Sequence, residues 1–332
     1  ADGTADQPIV FTSDQASPNR GDWGGLIING RAPINTGLQA EGEGNTGFYG
    51  GDDPDDSSGI LRYVRVQYAG IEFSPDNELN GIAFQGVGRG TVVDYCQVHM
   101  NQDDGIEFFG GTVDAKHLVC TNNRDDNFDW TDGWTGRGQF WVCQQRGDDA
   151  DNGFEADNNG ENNDLLPRSN PMIYNVTLIG DPTGAQIDES RHGMLLREGT
   201  AGCIRNAIAM GFNRAGLDVD HEATFAQAAS GDLSLQNSIF YDNRTANFST
   251  DDDGFDEGAW AQTPGFNNLE ATVCPVVNPY ANQTSSFAST GPAVDGTVPV
   301  ATPPNDGFFD TTVDFIGAVG GLDHHQRGPG GR

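Results

Sequence analysis

One six-residue phrase returns along the chain, and its spacing limits the fold more than any other feature. It reads DDGIEF at residues 103–108, DDNFDW at 125–130 and DNGFEA at 151–156. The third residue of the phrase stands at 105, 127 and 153, so successive copies lie 22 and 26 residues apart. Weaker copies centre on Gly81, Gly193, Gly216 and Asn247. A repeat of this length is typical of the coils of a solenoid.

The residues after the third position alternate in polarity. Apolar side chains follow it directly at Ile82, Ile106, Phe128, Phe154, Met194, Leu217 and Phe248. Acidic residues come next at Glu107, Asp129 and Glu155, so the pattern predicts a short β-strand with one apolar face. The third position of the three clear copies is Gly or Asn. These residues tolerate the left-handed backbone best, which predicts a left-handed corner.

A second strand precedes most copies of the phrase. The predicted strands cover 61–68, 92–100, 116–120, 139–143, 173–179, 203–210 and 233–241. The chain has 46 glycines and shows no sustained helical period. Two short strands in each coil of about 22 to 30 residues predict an all-β parallel β-helix with long loop insertions. The alternative is a β-sandwich or a propeller, although a propeller blade needs about 40 residues.

The coils predict one domain. We expect a single solenoid over residues 1–319, rich in loops from about residue 249, followed by a flexible tail over 320–332. The opening residues already read like the middle of a coil, so we expect a targeting segment to have preceded them. Neither end carries an evident cap. Exposed strand edges pair readily, which favours end-to-end assembly into a homo-oligomer or filament.

The charge of the chain excludes some classes of partner. With 17 basic and 49 acidic residues, the net charge is −32. Binding to nucleic acid needs a basic face, so nucleic acid is not an expected partner. No apolar run is long enough for insertion into a membrane. The excess of acid favours Ca²⁺ binding or a soluble, salt-tolerant surface.

The five cysteines show no C-x-x-C spacing, which argues against a zinc or redox motif. Cys120 and Cys143 fall at similar places in consecutive coils. They could form a disulfide between the coils or pack as a buried apolar pair. Cys203 and Cys274 could staple the C-terminal part of the chain. An odd count leaves one thiol unpaired.

Placing the coils in register stacks carboxylates in three files, about 4.8 Å apart along each file. The predicted metal ligands are Asp103, Asp104, Glu107, Asp125, Asp126, Asp129, Asp151 and Glu155. On an outer face, like charges this close repel by about 1 kcal/mol per pair even in water. Ca²⁺, which takes about six to eight oxygen ligands, could neutralise them. Protons bound with a raised pKa, or full solvation, are the alternatives. The spacing is not that of an EF-hand.

Two segments near the start carry a resemblance. They read GTADQPIVFTS at residues 3–13 and GDWGGLIING at 21–30, and they are similar to segments of secreted bacterial β-helix proteins. With the repeated coils, they make residues 1–250 resemble right-handed parallel β-helix proteins of the pectate-lyase-like superfamily. The resemblance implies that fold and an extracellular or cell-surface location. It leaves the function open, because this fold hosts lyases, hydrolases, adhesins and structural fibres.

An enzyme of this fold needs identifiable catalytic groups. A lyase needs a cation or Arg beside a uronate carboxylate and a base, for which His99, Lys116, His117, Arg124 and Arg146 are candidates. We expect both histidines to point outward into solvent, because they alternate with apolar neighbours. A hydrolase needs paired carboxylates. The Asp pair that opens the phrase repeats in consecutive coils, which favours a structural role for it.

Aromatic side chains could stack on sugars. Trp130 belongs to the apolar face of its strand and is predicted to lie in the core. Trp134 lies in a turn, TDGWTG at residues 131–136, and is therefore the best candidate for an exposed carbohydrate-binding residue.

The sequence thus predicts an extracellular or cell-surface calcium-binding β-helix scaffold without catalytic activity. It would bind polysaccharide or a cell-surface partner, or assemble into a larger structure. The alternative is a polysaccharide lyase or glycoside hydrolase that acts on acidic polysaccharide. A convergent Arg or Lys beside the carboxylates would favour the enzyme, and acidic files without a basic partner would favour the scaffold.

Overall fold

Nearly all regular structure in the chain is β-strand. A computed structural model describes residues 1–73, 79–183, 188–251, 254–280 and 286–321. The strands are β1 (Ile9–Phe11), β2 (Leu26–Asn29), β3 (Ala40–Glu41), β4 (Phe48–Tyr49), β5 (Ile60–Gln67), β6 (Ile82–Gln85), β7 (Val92–His99), β8 (Ile106–Phe109), β9 (Ala115–Thr121), β10 (Phe128–Thr131), β11 (Arg137–Gln144), β12 (Phe154–Ala156), β13 (Met172–Ile179), β14 (His192–Leu196), β15 (Gly202–Met210), β16 (Ala215–Val219), β17 (Leu233–Gln236), β18 (Ile239–Tyr241), β19 (Ala246–Phe248) and β20 (Leu269–Glu270). Two short helices are α1 (Glu222–Ser230) and α2 (Glu257–Ala261).

The strands form two main sheets with parallel pairing. The long sheet runs in the order β1-β5-β7-β9-β11-β13-β15-β18-β20, and β17 also pairs with β15. The short sheet runs in the order β19-β16-β14-β12-β10-β8-β6-β2. Each coil from β5 to β16 therefore gives one strand to each sheet. This confirms the parallel β-helix and makes the sandwich and propeller alternatives wrong, because both of those are built from antiparallel strands.

The predicted register is confirmed in the short sheet. Phe128 lies opposite Ile106 on one side and Phe154 on the other. Asp129 lies in the same way between Glu107 and Glu155. The apolar set faces the interior and is fully buried. Burial of each such side chain contributes about 1.5–3 kcal/mol, so the stacked interior stabilises every coil against its neighbours.

Three tryptophan side chains, those of Trp130, Trp134 and Trp141, are buried in the interior of the coils. Trp130 is buried, as predicted. The prediction that Trp134 is exposed is wrong, because its side chain is 0% exposed. Its ring stacks on Phe108 at a centroid distance of 4.2 Å, and its Nε1 donates to the Val113 carbonyl at 3.1 Å. The turn that carries Trp134 folds inward, because an apolar ring gains more by filling the coil interior than by facing water.

The left-handed corner was predicted at the wrong place. Gly105, Asn127 and Gly153 do not have a positive φ. At Gly105 an added Cβ would lie 2.5 Å from the Asn127 carbonyl oxygen, so that position needs Gly for close approach between coils. A left-handed residue instead recurs in the middle of each long-sheet strand from β5 to β15, and again between β17 and β18. We call these residues the bend column: Tyr63, Tyr95, His117, Phe140, Asn175, Asn206 and Asn237.

The C-terminal part of the chain covers three of the seven residues of the bend column, Asn175, Asn206 and Asn237. Residues 299–319 run over the outer face of the long sheet, and we call them the C-terminal segment. Asn237 Nδ2 donates to the Pro299 carbonyl at 2.9 Å, and Asn206 exchanges two hydrogen bonds of 2.8 Å with the backbone of Ala301. The loop-rich region thus lies on the solenoid. Of the predicted tail, residues 322–332 lie outside the described residues.

The cysteines form no disulfide in the structure. Cys120 lies directly opposite Cys143 in the long sheet, as expected for similar places in consecutive coils. Both thiols are free and buried, so the apolar-pair interpretation holds and the disulfide alternative is wrong. Burial raises the pKa of both thiols. Cys203 and Cys274 are also free, so the predicted staple is not formed.

Candidate functional site

The carboxylates of the repeated phrase meet on the outer side of the short sheet. Strands β8, β10 and β12 each present one acidic side chain there, because the interior takes the alternate apolar residues. The turns before these strands add the remaining carboxylates. The structure thus brings together residues from three consecutive coils that are 22 and 26 positions apart in the chain.

Four of these carboxylates are buried, which makes the full-solvation alternative wrong for them. They are Asp104, Glu107, Asp126 and Asp129. Glu107 is only 7% exposed and Asp129 only 8%. Part of the cover comes from Asn80, whose Nδ2 donates to Glu107 Oε2 at 2.5 Å and to Glu43 Oε2 at 3.0 Å. Residues before β6 and between β3 and β4 therefore close over the inner carboxylates.

Seven of the eight predicted metal ligands cluster in groups that could hold a cation. In each group one oxygen atom per residue lies within 4.8 Å of the others. The groups are Asp103–Asp104–Asp125, Asp104–Glu107–Asp129 and Asp125–Asp126–Asp151. We call the second group the inner trio. The eighth residue, Glu155, lies in none of these groups.

Burial and mutual repulsion oppose ionisation throughout the cluster. Burial raises the pKa of Asp104, Glu107, Asp126 and Asp129 well above the usual range, and neighbouring carboxylates raise it further. The pKa of the Glu155 carboxyl rises to about 8 for the same reason, although Arg197 pulls it down. At neutral pH the cluster therefore favours either bound protons or a cation.

Some acceptor oxygens in the cluster are already used and others are not. Asp104 Oδ1 accepts from the Asp126 N–H at 2.9 Å, and Asp126 Oδ1 accepts from the Asn152 N–H at 2.5 Å. These two carboxylates thus also hold consecutive coils together. In contrast, the buried oxygens Asp129 Oδ1 and Asn80 Oδ1 accept no hydrogen bond. Buried polar atoms without a partner are rare and costly, so the inner trio has unused ligand capacity.

Two arginines that the sequence analysis did not select lie beside the carboxylates. Arg191 forms an ion pair with Asp151. Arg197 Nη2 donates to Glu155 Oε2 at 2.6 Å, and Arg197 Nε donates to Asp157 Oδ1 at 3.0 Å. Both arginines stand in the weaker copy of the phrase centred on Gly193, at the positions of Asp151 and Asp157 in the previous copy. Reading every column through the weaker copies would have found them.

Most of the predicted lyase bases lie elsewhere. His99, Lys116 and His117 belong to long-sheet strands. Lys116 Nζ donates to the Phe308 carbonyl, and His117 Nδ1 lies 2.7 Å from Asp94 Oδ1. Both histidines are half-buried rather than solvated, because other residues pack against their rings. Arg146 lines a separate cavity with Tyr280.

Arg124 is the one predicted base that lines the acidic site, where it forms an ion pair with Asp149. The space above the carboxylates consists of two adjoining cavities. A cavity of about 490 Å³ holds Arg124, and one of about 410 Å³ holds the covered carboxylates and Asn80. The two cavities share four lining residues: Asp103, Asp125, Asp151 and Arg191. We call the combined cleft the acidic groove.

The sequence also matches a known family. A family model described as a pectate-lyase like beta helix domain matches residues 1–279, which include every residue of the acidic groove. The chain belongs to this family. Neither the curated proteins nor the solved structures contain a significant match to this pectate-lyase-like chain. Within the described residues, no helix has the length and apolar character that a membrane span requires.

Proposed function

We propose that this pectate-lyase-like protein is an extracellular, calcium-binding scaffold that binds acidic polysaccharide in the acidic groove without cleaving it. The inner trio carries the proposal. Its three buried carboxylates lie within reach of one ion, and two buried oxygens beside them, on Asp129 and Asn80, lack hydrogen-bond partners. A cation would satisfy these oxygens and turn the repulsion between coils into attraction.

Calcium fits this set of ligands better than other common cations. All the available donors are carboxylate or amide oxygens, and neither His nor Cys belongs to the three groups. Hard oxygen donors select Ca²⁺ or Mg²⁺ over zinc or copper. Ca²⁺ accepts about six to eight oxygens in irregular geometry, whereas Mg²⁺ demands an octahedron and keeps its waters. The irregular cluster across coils therefore favours Ca²⁺.

An acidic polysaccharide is the ligand that a calcium-loaded groove would take. Without cations, the carboxylates of the groove repel a polyanion. With cations at the more exposed groups around Asp103 and Asp125, a uronate carboxylate could complete the coordination sphere. Arg124 and Arg191 line the same cavity and offer planar, charged donors for carboxylate oxygens. Consecutive coils repeat the carboxylates along the groove, as consecutive sugars repeat along a polysaccharide.

The ion pairs favour binding over cleavage. A lyase needs a base that removes the proton next to the uronate carboxylate while the bond to the leaving oxygen breaks. Arg124 and Arg191 are both engaged with carboxylates. A guanidinium in such a pair stays protonated and can neutralise charge, but it cannot accept a proton.

A polysaccharide lyase is the second candidate function, and one observation favours it. Arg191 shares the acidic groove with Asp103, Asp125 and Asp151. Basic groups thus converge beside the possible cation ligands, which is the arrangement that an enzyme would need. A substrate carboxylate that displaced Asp151 from Arg191 would leave this arginine beside the sugar.

The calcium part of the proposal is tested by titration and melting. We expect calorimetry to show saturable Ca²⁺ binding, and excess chelator to lower the melting temperature by about 5 °C, since ligand at 100 times its Kd contributes about 2.7 kcal/mol. The double variant Glu107→Gln/Asp129→Asn should lose most of the binding. Glu161→Gln/Asp164→Asn, which removes the same charge from two exposed positions, is the matched control. An unchanged melt in chelator would sink the calcium proposal.

The polysaccharide part is tested with a panel of uronate polymers in Ca²⁺. Co-sedimentation of protein with one polymer, without a rise in the ultraviolet absorbance of unsaturated sugars, is the expected result. A rise that chelator abolishes would instead establish the lyase. Absence of both binding and absorbance change would overturn both candidates and leave assembly of copies as the function to examine by electron microscopy.

A further inference from the structure

A second groove lies on the other sheet, beside the part of the bend column that the C-terminal segment leaves open. Four rings stack there face to face. Tyr63 lies 4.6 Å from Tyr95, Tyr95 lies 4.1 Å from His117, and His117 lies 5.1 Å from Phe140, with interplanar angles of 14° or less. We call these four residues the aromatic column. Its ring centres span about 14 Å along the solenoid, three strand spacings of about 4.8 Å.

This aromatic groove is concave and mostly apolar. It has a volume of about 410 Å³, which falls in the range of small-molecule sites. Val119 and Val142 form one wall beside the rings, while Pro8 and Val319 also line it. Tyr95 stays 43% exposed. An apolar concave surface of this kind differs in character from the acidic groove, which has few apolar lining atoms.

One charged residue of the aromatic groove is uncompensated. Arg65 lines it and is exposed. Among the arginine and lysine side chains of the described residues, Arg65 alone has neither an ion pair nor a hydrogen bond. Its neighbour Arg62, by contrast, pairs with Asp2. In a chain with a net charge of −32, a free guanidinium beside an aromatic surface marks a place that suits an anion.

From these observations we propose that the aromatic groove is a small-molecule site for an aromatic carboxylate. The stacked rings cover one another's faces, so the groove presents mainly their edges. Ring edges carry the positive side of the aromatic quadrupole and pack best against the face of another ring. A flat ligand ring therefore lies across the edges of Tyr95 and His117. The carboxylate of the ligand pairs with Arg65, which can bind it in a bidentate manner.

The site is independent of the proposed polysaccharide groove. It lies on the other sheet and uses no residue of the carboxylate cluster. Its ligand needs a planar apolar body and one negative charge, and no cation is required. Chelation of calcium therefore leaves binding in the aromatic groove unchanged, so failure of one proposal does not imply failure of the other.

The test uses 4-hydroxycinnamate as the probe, with the full chain and calorimetry at low salt. We expect one site per chain, and we expect Arg65→Gln to weaken binding by about tenfold, the effect of losing about 1.4 kcal/mol. Arg62→Gln is the matched control, because it removes a neighbouring guanidinium that does not line the groove. The uncharged methyl ester of the probe should bind about equally to the wild-type chain and to Arg65→Gln. Melting curves confirm that each variant is folded.

Three results would overturn the proposal. The first is absence of saturable binding, and the second is equal weakening by the Arg65 and Arg62 substitutions, which would show general charge attraction. The third result concerns residues 322–332, which follow Val319 closely in the sequence. If deleting them raised the affinity by tenfold or more, the groove would be the docking place of this chain's own end.

Discussion

Two columns of polar side chains on the outside of this solenoid are stacked by the same parallel pairing of coils and differ in their chemistry. Asn175, Asn206 and Asn237 stack on the long sheet, and each donates to a backbone carbonyl of the C-terminal segment. Glu107 and Asp129 stack on the short sheet, where Asp129 Oδ1 has no hydrogen-bond partner. Both columns repeat once per coil. The chain itself supplies hydrogen-bond partners to the asparagine column, while the carboxylate column has unused acceptor atoms.

The difference follows from what each side chain can donate. An amide carries both donors and an acceptor, so a stack of asparagines can bind a strand of backbone on all its polar atoms. A carboxylate only accepts when ionised, so a stack of carboxylates has no internal donor and repels itself. The positive partner that such a stack needs must be a bound proton, an arginine or a metal cation. A stack of amides can therefore serve a purely structural role, whereas a stack of carboxylates indicates a bound ligand.

The largest effect should come from placing a carboxylate in the amide column. Asn206→Asp removes the donor to the Ala301 carbonyl and puts a charge at a fully buried position. We expect the free energy of unfolding to fall by about 3 kcal/mol, with or without Ca²⁺. Urea denaturation measures it. Asn305→Asp, an exposed position on the same segment, should stay within about 0.5 kcal/mol of the wild type. Equal losses for the two variants would contradict the comparison.

The reverse exchange should have a smaller effect, with a sign that depends on calcium. In chelator, Glu107→Gln/Asp129→Asn replaces two buried carboxyls, whose ionisation the cluster opposes, by neutral amides, so we expect stability at neutral pH to rise by about 1–2 kcal/mol. In saturating Ca²⁺, the same variant should be less stable than the wild type, because it lacks the ion that contributes about 2–3 kcal/mol. Urea denaturation in chelator and in Ca²⁺ measures whether the order of stability of the two proteins is reversed. A variant that is less stable in both buffers would mean that these carboxylates act only as packing groups.

The pH dependence should be the most gradual effect, because it is spread over several pH units. Burial raises the pKa of Asp151 to about 6 and that of Glu155 to about 8, both above their unfolded values near 4. A raised carboxyl pKa stabilises the fold below the unfolded pKa, and this contribution is lost as pH rises through the folded value. In chelator, we therefore expect the melting temperature to fall by a few degrees between about pH 5 and pH 8.

Calcium should flatten this profile, because the ion replaces the protons and binds more tightly as pH rises. Glu155→Gln provides the control, since it removes the carboxyl whose pKa rises to about 8 and should therefore flatten the upper part of the profile. If the chelated protein grew more stable toward pH 8, the carboxylates would be ionised and satisfied within the chain. The amide column offers no titrating group, so Asn206→Gln should leave the slope of the profile unchanged.

Much of the fold followed from the repeated phrase. The predicted strands at 92–100 and 173–179 correspond to β7 and β13 within one residue at each end. The stacking of Ile106, Phe128 and Phe154 is confirmed by their register. These features depend on alternation along one strand and on the spacing between copies, both of which can be read in the sequence.

The errors share one cause. The exposure of Trp134, the full-solvation alternative for Glu107 and Asp129, and the left-handed corner at Gly105 were all inferred from local context. Each depends on what packs against the residue from a distant part of the chain. Trp134 packs against Phe108, and Glu107 contacts Asn80. A turn residue can point inward or outward without any change in its own sequence.

The sequence by itself determined the coil, the register and the files of carboxylates, because a solenoid repeats the same local geometry with every copy of its phrase. Only the tertiary structure decided which outer positions are covered. The loops that reach over the inner trio and the segment that packs on Asn175 and Asn206 come from insertions of irregular length. Where these segments pack is decided by hydrogen bonds and burial, and the repeat along the sequence does not specify it.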